Sequence, residues 1–411
     1  MTPAIRSATL LAALGAGWLT ASYFGLTDVD RSPVYGFFIT ALLGFGLYAS
    51  TSGIEIAEFR KELRTVVIAV TLGVLAKVAL VFGAMFFVFR EPNHLILAVA
   101  VAQIDPLSVA AMRAKSRMSE SAKALLSAWA SFDDPITVLL TVYITAFALR
   151  GGAVGGVGSF AVNLVLNLAL AGVAFMLWTL VRGRVRRAEA GGRAVRYAVR
   201  AVMVVAVLAL GFVAVQYALL LALALLGLFF RPNLGRWVDG LAEAGMLLAI
   251  AAVGLVLADE FSWALAGVGA VLGVAAFGAQ AVVAFVLTVP RRWRGDRLRL
   301  ALGQQNGLTA IILALLLEPR FPGSIAVVAP AVVVVNLLHA VTNGVYDRLS
   351  PVPPPVAVPS GRETASAKAR REREPNKPAR EPSRGPKRVP RVPLNPAVPH
   401  VASAYRVKRT P

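Results

Sequence analysis

Two adjacent carboxylates, Asp133 and Asp134, lie within a long apolar stretch and are followed by Pro135. If that stretch crosses a membrane, each ionisable residue in it costs about 2.5–3.5 kcal/mol on insertion scales, so an acidic pair there indicates a function. Neighbouring carboxylates in a medium of low dielectric constant do not both ionise cheaply. A site that holds either a proton or a small cation needs a group of this kind. The pair therefore predicts a shared site for a proton and a cation.

A third carboxylate, Asp105, precedes Pro106 in another apolar stretch. Pro106 lacks a backbone donor and disfavours a helical conformation at the residue before it, so the helix is expected to be interrupted at the carboxylate. Interrupted backbone at membrane depth is tolerated where it lines a cavity or is buried in protein. Discontinuous helices of this kind bind ions in secondary transporters. Asp105 either contributes to such a site, caps the second half-helix, or does both.

A short sequence repeat supports this arrangement. Residues 304–309 (Gln-Gln-Asn-Gly-Leu-Thr) match residues 103–108 (Gln-Ile-Asp-Pro-Leu-Ser) at identical spacing, and each copy carries a helix-breaking residue. The two copies lie on predicted spans that run in opposite directions, as in an inverted-topology repeat. We therefore expect two crossed discontinuous helices, the fourth and the eleventh, that bring Asp105 and Asn306 together.

Lys77 is the fourth ionisable residue at membrane depth, in the middle of the predicted third span. Its ammonium group either serves as a counter-charge for the carboxylates or extends along its aliphatic stem to the membrane interface. The sequence leaves both possibilities open.

The elements that position these residues are predicted from composition. Of the 411 residues, 57% are hydrophobic and 16% are charged, whereas an ordinary soluble domain carries about 25% charged residues. This composition excludes a cytosolic globular enzyme and indicates an all-α polytopic membrane protein. The chain has no cysteine and three scattered histidines, which argues against disulfides, thiol catalysis and metal centres built from Cys or His. We expect neither an enzymatic activity nor a cofactor.

A membrane-spanning helix needs about 20 apolar residues. Apolar runs predict about twelve spans, approximately at residues 5–24, 34–54, 65–89, 95–112, 122–149, 160–181, 197–215, 217–230, 241–258, 263–289, 300–317 and 325–345. With a cytoplasmic N-terminus, the cytoplasmic segments before the C-terminal region hold 22 Lys and Arg residues, and the outside loops hold four. This asymmetry follows the positive-inside rule, so we predict a multi-pass protein of the cell membrane with both termini in the cytoplasm.

The C-terminal region differs in composition from the rest of the chain. It is rich in proline, and from Arg348 onwards there are 15 Lys or Arg residues against four acidic ones. Such a segment cannot bury a core and is expected to be disordered. The predicted domains are thus a transmembrane domain over 1–350 and a basic cytoplasmic tail over 351–411. The tail is either a solvated segment that obeys the topology rule or one that binds anionic membrane lipids; nucleic acid is not expected as a partner.

At these residues the chain resembles the monovalent cation:proton antiporter superfamily. Residues 104–106 look like its Thr-Asp-Pro signature on a broken fourth helix, and residues 132–135 look like its Asn-Asp or Asp-Asp pair on the fifth. The segment from Gly53 to Arg64 is similar to its Gly-Leu-Glu-Leu segment after the second span. The resemblance covers roughly residues 5–345. It implies a dimerisation region, and hence a homodimer, together with a six-helix core built from inverted repeats.

The resemblance also implies a function, which is the exchange of protons for Na⁺, K⁺ or Li⁺ by alternating access. Asp134 would be the essential carboxylate that binds cation and proton in turn, with Asp133 beside it. Asp105 and Asn306 would complete the cation site where the discontinuous helices cross.

Three positions depart from the superfamily pattern. Ile104 replaces the usual Thr, and Trp129 stands where the electroneutral branch has a Glu four residues before the acidic pair. In the electrogenic branch a Lys on the tenth helix pairs with the first Asp, and Gln280 falls at that place in this chain. Lys77 is then the basic alternative at membrane depth.

Two other classes of function stay open. One is a proton- or sodium-coupled carrier of a small organic solute, which shares a broken-helix architecture. The other is a non-transporting membrane scaffold that acts through its basic tail. Deleting residues 351–411 separates these classes, because a carrier keeps its transport and a tail-dependent scaffold loses its function.

Overall fold

The structure is a computed structural model that describes residues 3–52, 63–106, 109, 116–149, 155–189, 192–231 and 236–349. These residues are helical apart from short connections, and they contain no β-strand. The first seven helices are α1 (Pro3–Phe24), α2 (Pro33–Ser52), α3 (Leu63–Phe89, with a π-helical turn at Ala69–Gly73), α4 (His94–Val101), α5 (Glu120–Leu149), α6 (Gly155–Glu189) and α7 (Arg193–Gln216). The other six are α8 (Leu220–Phe229), α9 (Arg236–Glu260), α10 (Trp263–Leu287), α11 (Arg297–Ala301), α12 (Leu308–Leu317) and α13 (Ser324–Leu349).

The chain has the all-α membrane architecture that its composition predicts. Among the described residues, six helices are long and apolar enough to cross a membrane, namely α2, α3, α10, α13 and the apolar parts of α6 and α7. Three further apolar helices are shorter, namely Ala8–Phe24 of α1, α8 and α12. The count of twelve spans stays a prediction. The predicted tail over 351–411 and most of the motif that begins at Gly53 lie outside the described residues.

Two helices are interrupted at the places that the sequence predicts. α4 ends at Val101, and helix resumes only at Pro106, whose ring fits the first turn of a helix. The second interruption covers residues 302–307, between the end of α11 and the start of α12. α5, in contrast, continues through Pro135. The acidic pair is therefore on a continuous helix, whereas Asp105 and Asn306 are on irregular backbone.

The interrupted helices lie in the interior of the bundle. Every residue of α4 from Ile96 to Val101 is buried, as are nine of the ten residues of α12. In the apolar stretches of α6 and α7 only 11% of the residues are buried, against 44% in α2, α3 and α10. The irregular backbone is thus surrounded by protein, which backbone groups without helical partners require in a membrane.

Helices α1 and α9 approach each other through glycine. A Cβ atom on Gly17 would lie 2.0 Å from the carbonyl oxygen of Ala251, and one on Gly254 would lie 2.1 Å from that of Leu14. Glycine lets the two backbones approach within contact distance, as small residues do at helix interfaces in membranes. A larger residue at either position would force the two helices apart.

Glu318 links α12 to α13 at one end of the bundle. Its carboxylate accepts hydrogen bonds from the backbone N–H groups of Gly323 and Ile325, the latter at 2.6 Å, at the start of α13. These N–H groups have no partner within the helix. Burial raises the pKa of Glu318 to about 7, because the two N–H donors do not compensate for lost hydration and the acidic groups Glu260 and Asp30 add to the effect.

This raised pKa predicts that stability falls as the pH rises. Between about pH 4.5 and pH 7 the folded state keeps a proton on Glu318 that the unfolded state has lost, so each step up in pH favours unfolding. The full effect is on the order of 3 kcal/mol. Thermal unfolding in detergent at pH 5 to 8 should show a flatter pH dependence for Glu318→Gln than for the unmodified protein. The same substitution at exposed Glu243 should leave the slope unchanged, and equal slopes in all three proteins would contradict the assignment.

Candidate functional site

The structure brings the four predicted site residues into one buried region. Asp133 and Asp134 on α5 are 0% exposed, Asp105 in the first interruption is 5% exposed, and Asn306 in the second is 0% exposed. The two acidic residues therefore face protein from a continuous helix, opposite the two breaks.

Asp133 forms an ion pair with Lys77. The Nζ atom of Lys77 on α3 lies 2.5 Å from Oδ2 of Asp133, and Lys77 is 1% exposed. The same Oδ2 accepts a hydrogen bond of 3.1 Å from the backbone N–H of Ile104. The Lys77 ammonium also lies 5.5 Å from the ring centroid of Trp129, within the range of a cation–π interaction. Of the two possibilities for Lys77, the structure shows contact with a carboxylate, that of Asp133, rather than with the membrane interface.

Gln280, which the sequence resemblance puts at the place of a lysine, makes no such pair within the described part of the chain. It lies on α10 with 0% exposure, and neither its amide nitrogen nor its amide oxygen has a hydrogen-bond partner among the described residues. The basic partner of Asp133 thus comes from α3, and Trp129, one turn before Asp133 on α5, packs its ring near that ammonium.

Asp134 has a different environment from its neighbour. Its Oδ2 accepts a hydrogen bond of 2.8 Å from Oγ1 of Thr309 on α12, and its Oδ1 has no hydrogen-bond partner within the described part of the chain. Asp134 interacts electrostatically with the carboxylates of Asp105 and Asp133 and with the ammonium of Lys77. A buried carboxylate with one unused oxygen and a surplus of negative charge nearby is suited to bind a proton or a cation.

The two interruptions contact each other through the repeated residues. The backbone N–H of Asp105 donates to the carbonyl oxygen of Gln305 at 2.8 Å. The side chain of Gln304 donates to the carbonyl oxygen of Gln103 at 2.8 Å and also to Oδ1 of Asn306. Asn306 in turn donates to the carbonyl oxygen at the end of α4, Val101, at 3.0 Å. Several freed backbone groups of each break are thus hydrogen-bonded to the other break.

Gly307 allows the second break to approach Asp105. A Cβ atom at this position would lie 2.5 Å from the carboxyl carbon of Asp105. Any side chain here would displace the carboxylate from its position beside the break. The helix-breaking glycine of the repeat therefore has a steric role that is specific to this contact.

Several polar residues of the site were not predicted from the sequence. Thr137, one turn after Asp133, donates to Oε1 of Gln103 at 2.8 Å, and Thr309 donates to Asp134. Three further polar residues lie on α13 and contact the second interruption, namely Asn336, His339 and Asn343. A signal for this group exists, because three polar residues at spacing i, i+3 and i+7 interrupt an otherwise apolar span and share one helix face.

A cavity of about 690 Å³ reaches the site. Its walls are mostly apolar side chains of α1, α9, α10 and α13, and its lining includes Asp105, Asn306 and Asn336. The described residues contain no group of three or more His, Cys, Asp or Glu side chains that could hold a resident metal ion. The polar end of the cavity is therefore formed by the interruptions, and Asp105 is the carboxylate that borders it.

The fold is similar to a solved structure described as the sodium proton antiporter MjNhaP1 from Methanocaldococcus jannaschii at pH 8. The TM-score is 0.58, the sequence identity is 15%, and the similarity covers 84% of this chain and 96% of that chain. No protein-family model and no curated protein sequence matches the chain. The resemblance seen in the sequence is confirmed at the level of the fold: this multi-pass membrane protein has the fold of a sodium/proton antiporter.

Proposed function

We propose that the chain exchanges protons for a monovalent cation, Na⁺, K⁺ or Li⁺, across the cell membrane by alternating access. The observation that carries this proposal is the environment of Asp134. Its carboxylate is fully buried, uses one oxygen for Thr309, and has no partner for the other oxygen among the described residues. A proton and a monovalent cation would compete for that oxygen, and this competition couples their movements.

Asp133 and Lys77 have a supporting role in this proposal. Their ion pair neutralises two buried charges that would each be costly alone. It also leaves Asp134 as the carboxylate whose charge is free to change. Asp105 and Asn306, at the contact of the two interruptions, would supply further oxygen atoms to a dehydrated cation. In this arrangement the fourth and eleventh predicted spans are the crossed discontinuous helices of an inverted repeat.

The cavity beside Asp105 provides one half of an access route. It is bounded by α1 and α9 on one side and by α10 and α13 on the other. Movement of one helix group against the other would close this cavity and open the opposite side, which is what alternating access requires. We also propose that the protein forms a homodimer and that both of its termini lie in the cytoplasm.

A direct test is proton movement in proteoliposomes. The purified protein is reconstituted with a pH-sensitive dye inside, a pH gradient is imposed, and Na⁺, K⁺ or Li⁺ is added in turn. We expect at least one of these cations to dissipate the gradient, whereas the bulky cation N-methylglucamine should not. The absence of a response to all three cations, in protein that is correctly inserted, would contradict the proposal.

A second candidate is a proton-coupled carrier of a small organic cation. The size of the cavity and its mostly apolar walls favour this alternative. A small inorganic cation needs neither a large cavity nor apolar walls, whereas an organic ligand is bound by both. The same vesicles distinguish the two candidates when methylammonium and choline are added separately. A response to these organic cations without a response to Na⁺, K⁺ or Li⁺ would favour the second candidate.

A further inference from the structure

The hydroxyl group of Thr309 lies against the acidic pair. Thr309 is the second residue of α12, directly after the second interruption, and it is 6% exposed. Its Oγ1 donates a hydrogen bond of 2.8 Å to Oδ2 of Asp134. The contact joins the helix that follows one break to the carboxylate on the continuous helix α5. It places a neutral oxygen atom beside the group that is proposed to bind the cation.

This hydroxyl oxygen has unused capacity as an acceptor. A hydroxyl group carries one hydrogen atom and two lone pairs. The hydrogen atom of Thr309 is directed to Asp134, and no donor within the described residues is directed to the lone pairs. Hard monovalent and divalent cations prefer oxygen ligands of this kind. The oxygen of Thr309 is thus suited to contact a cation that the carboxylate of Asp134 holds.

The first interruption does not supply a hydroxyl group to the acidic pair. Residues 102–106 contain no Ser, Thr or Tyr, and the backbone N–H of Ile104 donates to Asp133 rather than to Asp134. Thr137, on α5, donates to an amide oxygen and to carbonyl oxygens of its own helix. The hydroxyl that contacts the side chain of Asp134 therefore comes from α12.

We propose that Thr309 is a ligand of the transported cation and that its hydroxyl oxygen favours small, strongly hydrated cations. This inference rests on the proposed function, because it assigns a ligand to the same cation site. Asp134 is fully buried, so a cation that binds there exchanges water for protein oxygen atoms. Selectivity depends on the number and strength of such oxygens. A smaller ion holds its water more tightly, so it loses more affinity when one protein oxygen is removed.

Cation binding in detergent tests the proposal without any transport. A ligand that binds the folded state raises its melting temperature. Apparent affinities for Li⁺, Na⁺ and K⁺ are therefore obtained from unfolding curves at pH 8, with N-methylglucamine chloride keeping the ionic strength constant. Thr309→Val keeps the shape of the side chain and removes the oxygen. We expect binding of Li⁺ and Na⁺ to weaken by on the order of tenfold or more, and binding of K⁺ to weaken less.

Two further substitutions at this position separate a ligand from a group that only supports the fold. Thr309→Ser keeps the hydroxyl group and should restore most of the affinity for all three cations. Thr309→Ala also removes the oxygen but introduces a better helix former, so it should reproduce the loss of Thr309→Val and provides the measurement if the valine variant does not fold.

Thr141→Val is the matched control. Thr141 is 3% exposed on α5, and its hydroxyl donates to the carbonyl oxygen of Thr137 at 2.8 Å. The substitution makes the same chemical change on the same helix as the acidic pair, one hydrogen bond away from any carboxylate. It should leave all three affinities unchanged, whatever it does to the melting temperature without added cation.

The inference and the proposed function fail in different ways. Unchanged affinities in Thr309→Val and Thr309→Ala, or an equal loss for all three cations, would overturn the inference even if the unmodified protein exchanges cations in vesicles. Binding that depends on Thr309 in a protein that moves no protons would support the ligand and contradict the proposed exchange. An unmodified protein that binds none of the three cations would contradict both.

Discussion

Asp134→Asn is expected to abolish cation-dependent proton movement while the protein still inserts and folds. The amide keeps the size of the side chain and can still accept the hydrogen bond from Thr309, but it binds neither a proton nor a cation at neutral pH. The measurement is the dye signal in proteoliposomes at matched protein content, with Na⁺, K⁺ and Li⁺ tested separately. The signal should fall to that of liposomes without protein.

Asp259→Asn is the control for this experiment. Asp259 is an exposed carboxylate at the end of α9, so the substitution makes the same chemical change away from the buried region. Its exchange should equal that of the unmodified protein. If Asp134→Asn also keeps its exchange at normal expression, Asp134 is not the shared group and the mechanism is wrong.

Lys77→Met is expected to cause the largest loss of stability. The substitution leaves the carboxylate of Asp133 buried without its ionic partner, and breaking a buried ion pair on one side costs about 3–5 kcal/mol. The measurement is thermal or denaturant unfolding of the purified protein in detergent, because the loss concerns the folded state and needs no transport assay.

The double variant Lys77→Met with Asp133→Asn should regain most of this loss. With both charges removed, no buried ion remains unpaired, and replacing a buried pair by neutral groups is often close to neutral in stability. Lys123→Met is the control, since Lys123 pairs with the exposed Glu120 at 2.9 Å and such pairs contribute about 1 kcal/mol or less. If the single and double variants lose the same amount of stability, the ion pair is not the cause.

The positions of the breaks could be predicted from the sequence because their causes are local. Pro106 and Gly307 act on their own backbone, and the repeat places an acidic or amide side chain directly before each of them. The burial of the acidic pair was predictable for a similar reason, because the surrounding run is apolar. The effect of a residue on its own stretch of backbone can be predicted from the sequence alone.

The partners of these residues could not be predicted in the same way. Whether Lys77 or Gln280 faces Asp133 depends on the rotation of α3 and α10 about their axes, which only packing determines. Thr309 contacts Asp134 although 175 positions of sequence separate them. The contact of Asn336 with the second break likewise depends on how α13 packs, which the sequence does not show. The spacing of Asn336, His339 and Asn343 puts them on one helix face, but the sequence does not show that this face contacts the second break.

If the chain exchanges cations as proposed, the ion pair between Lys77 and Asp133 has a consequence for the electrical behaviour of the exchange. The pair cancels its own charge, so in the proposed mechanism the charge that differs between the empty, proton-loaded and cation-loaded forms lies on Asp134. A charge that crosses the whole membrane field gains or loses about 2.3 kcal/mol per 100 mV. An empty site in which Asp134 is ionised would therefore be drawn towards the positive side of the membrane. Voltage would then bias which side the unloaded site faces, independently of any gradient of protons or cations.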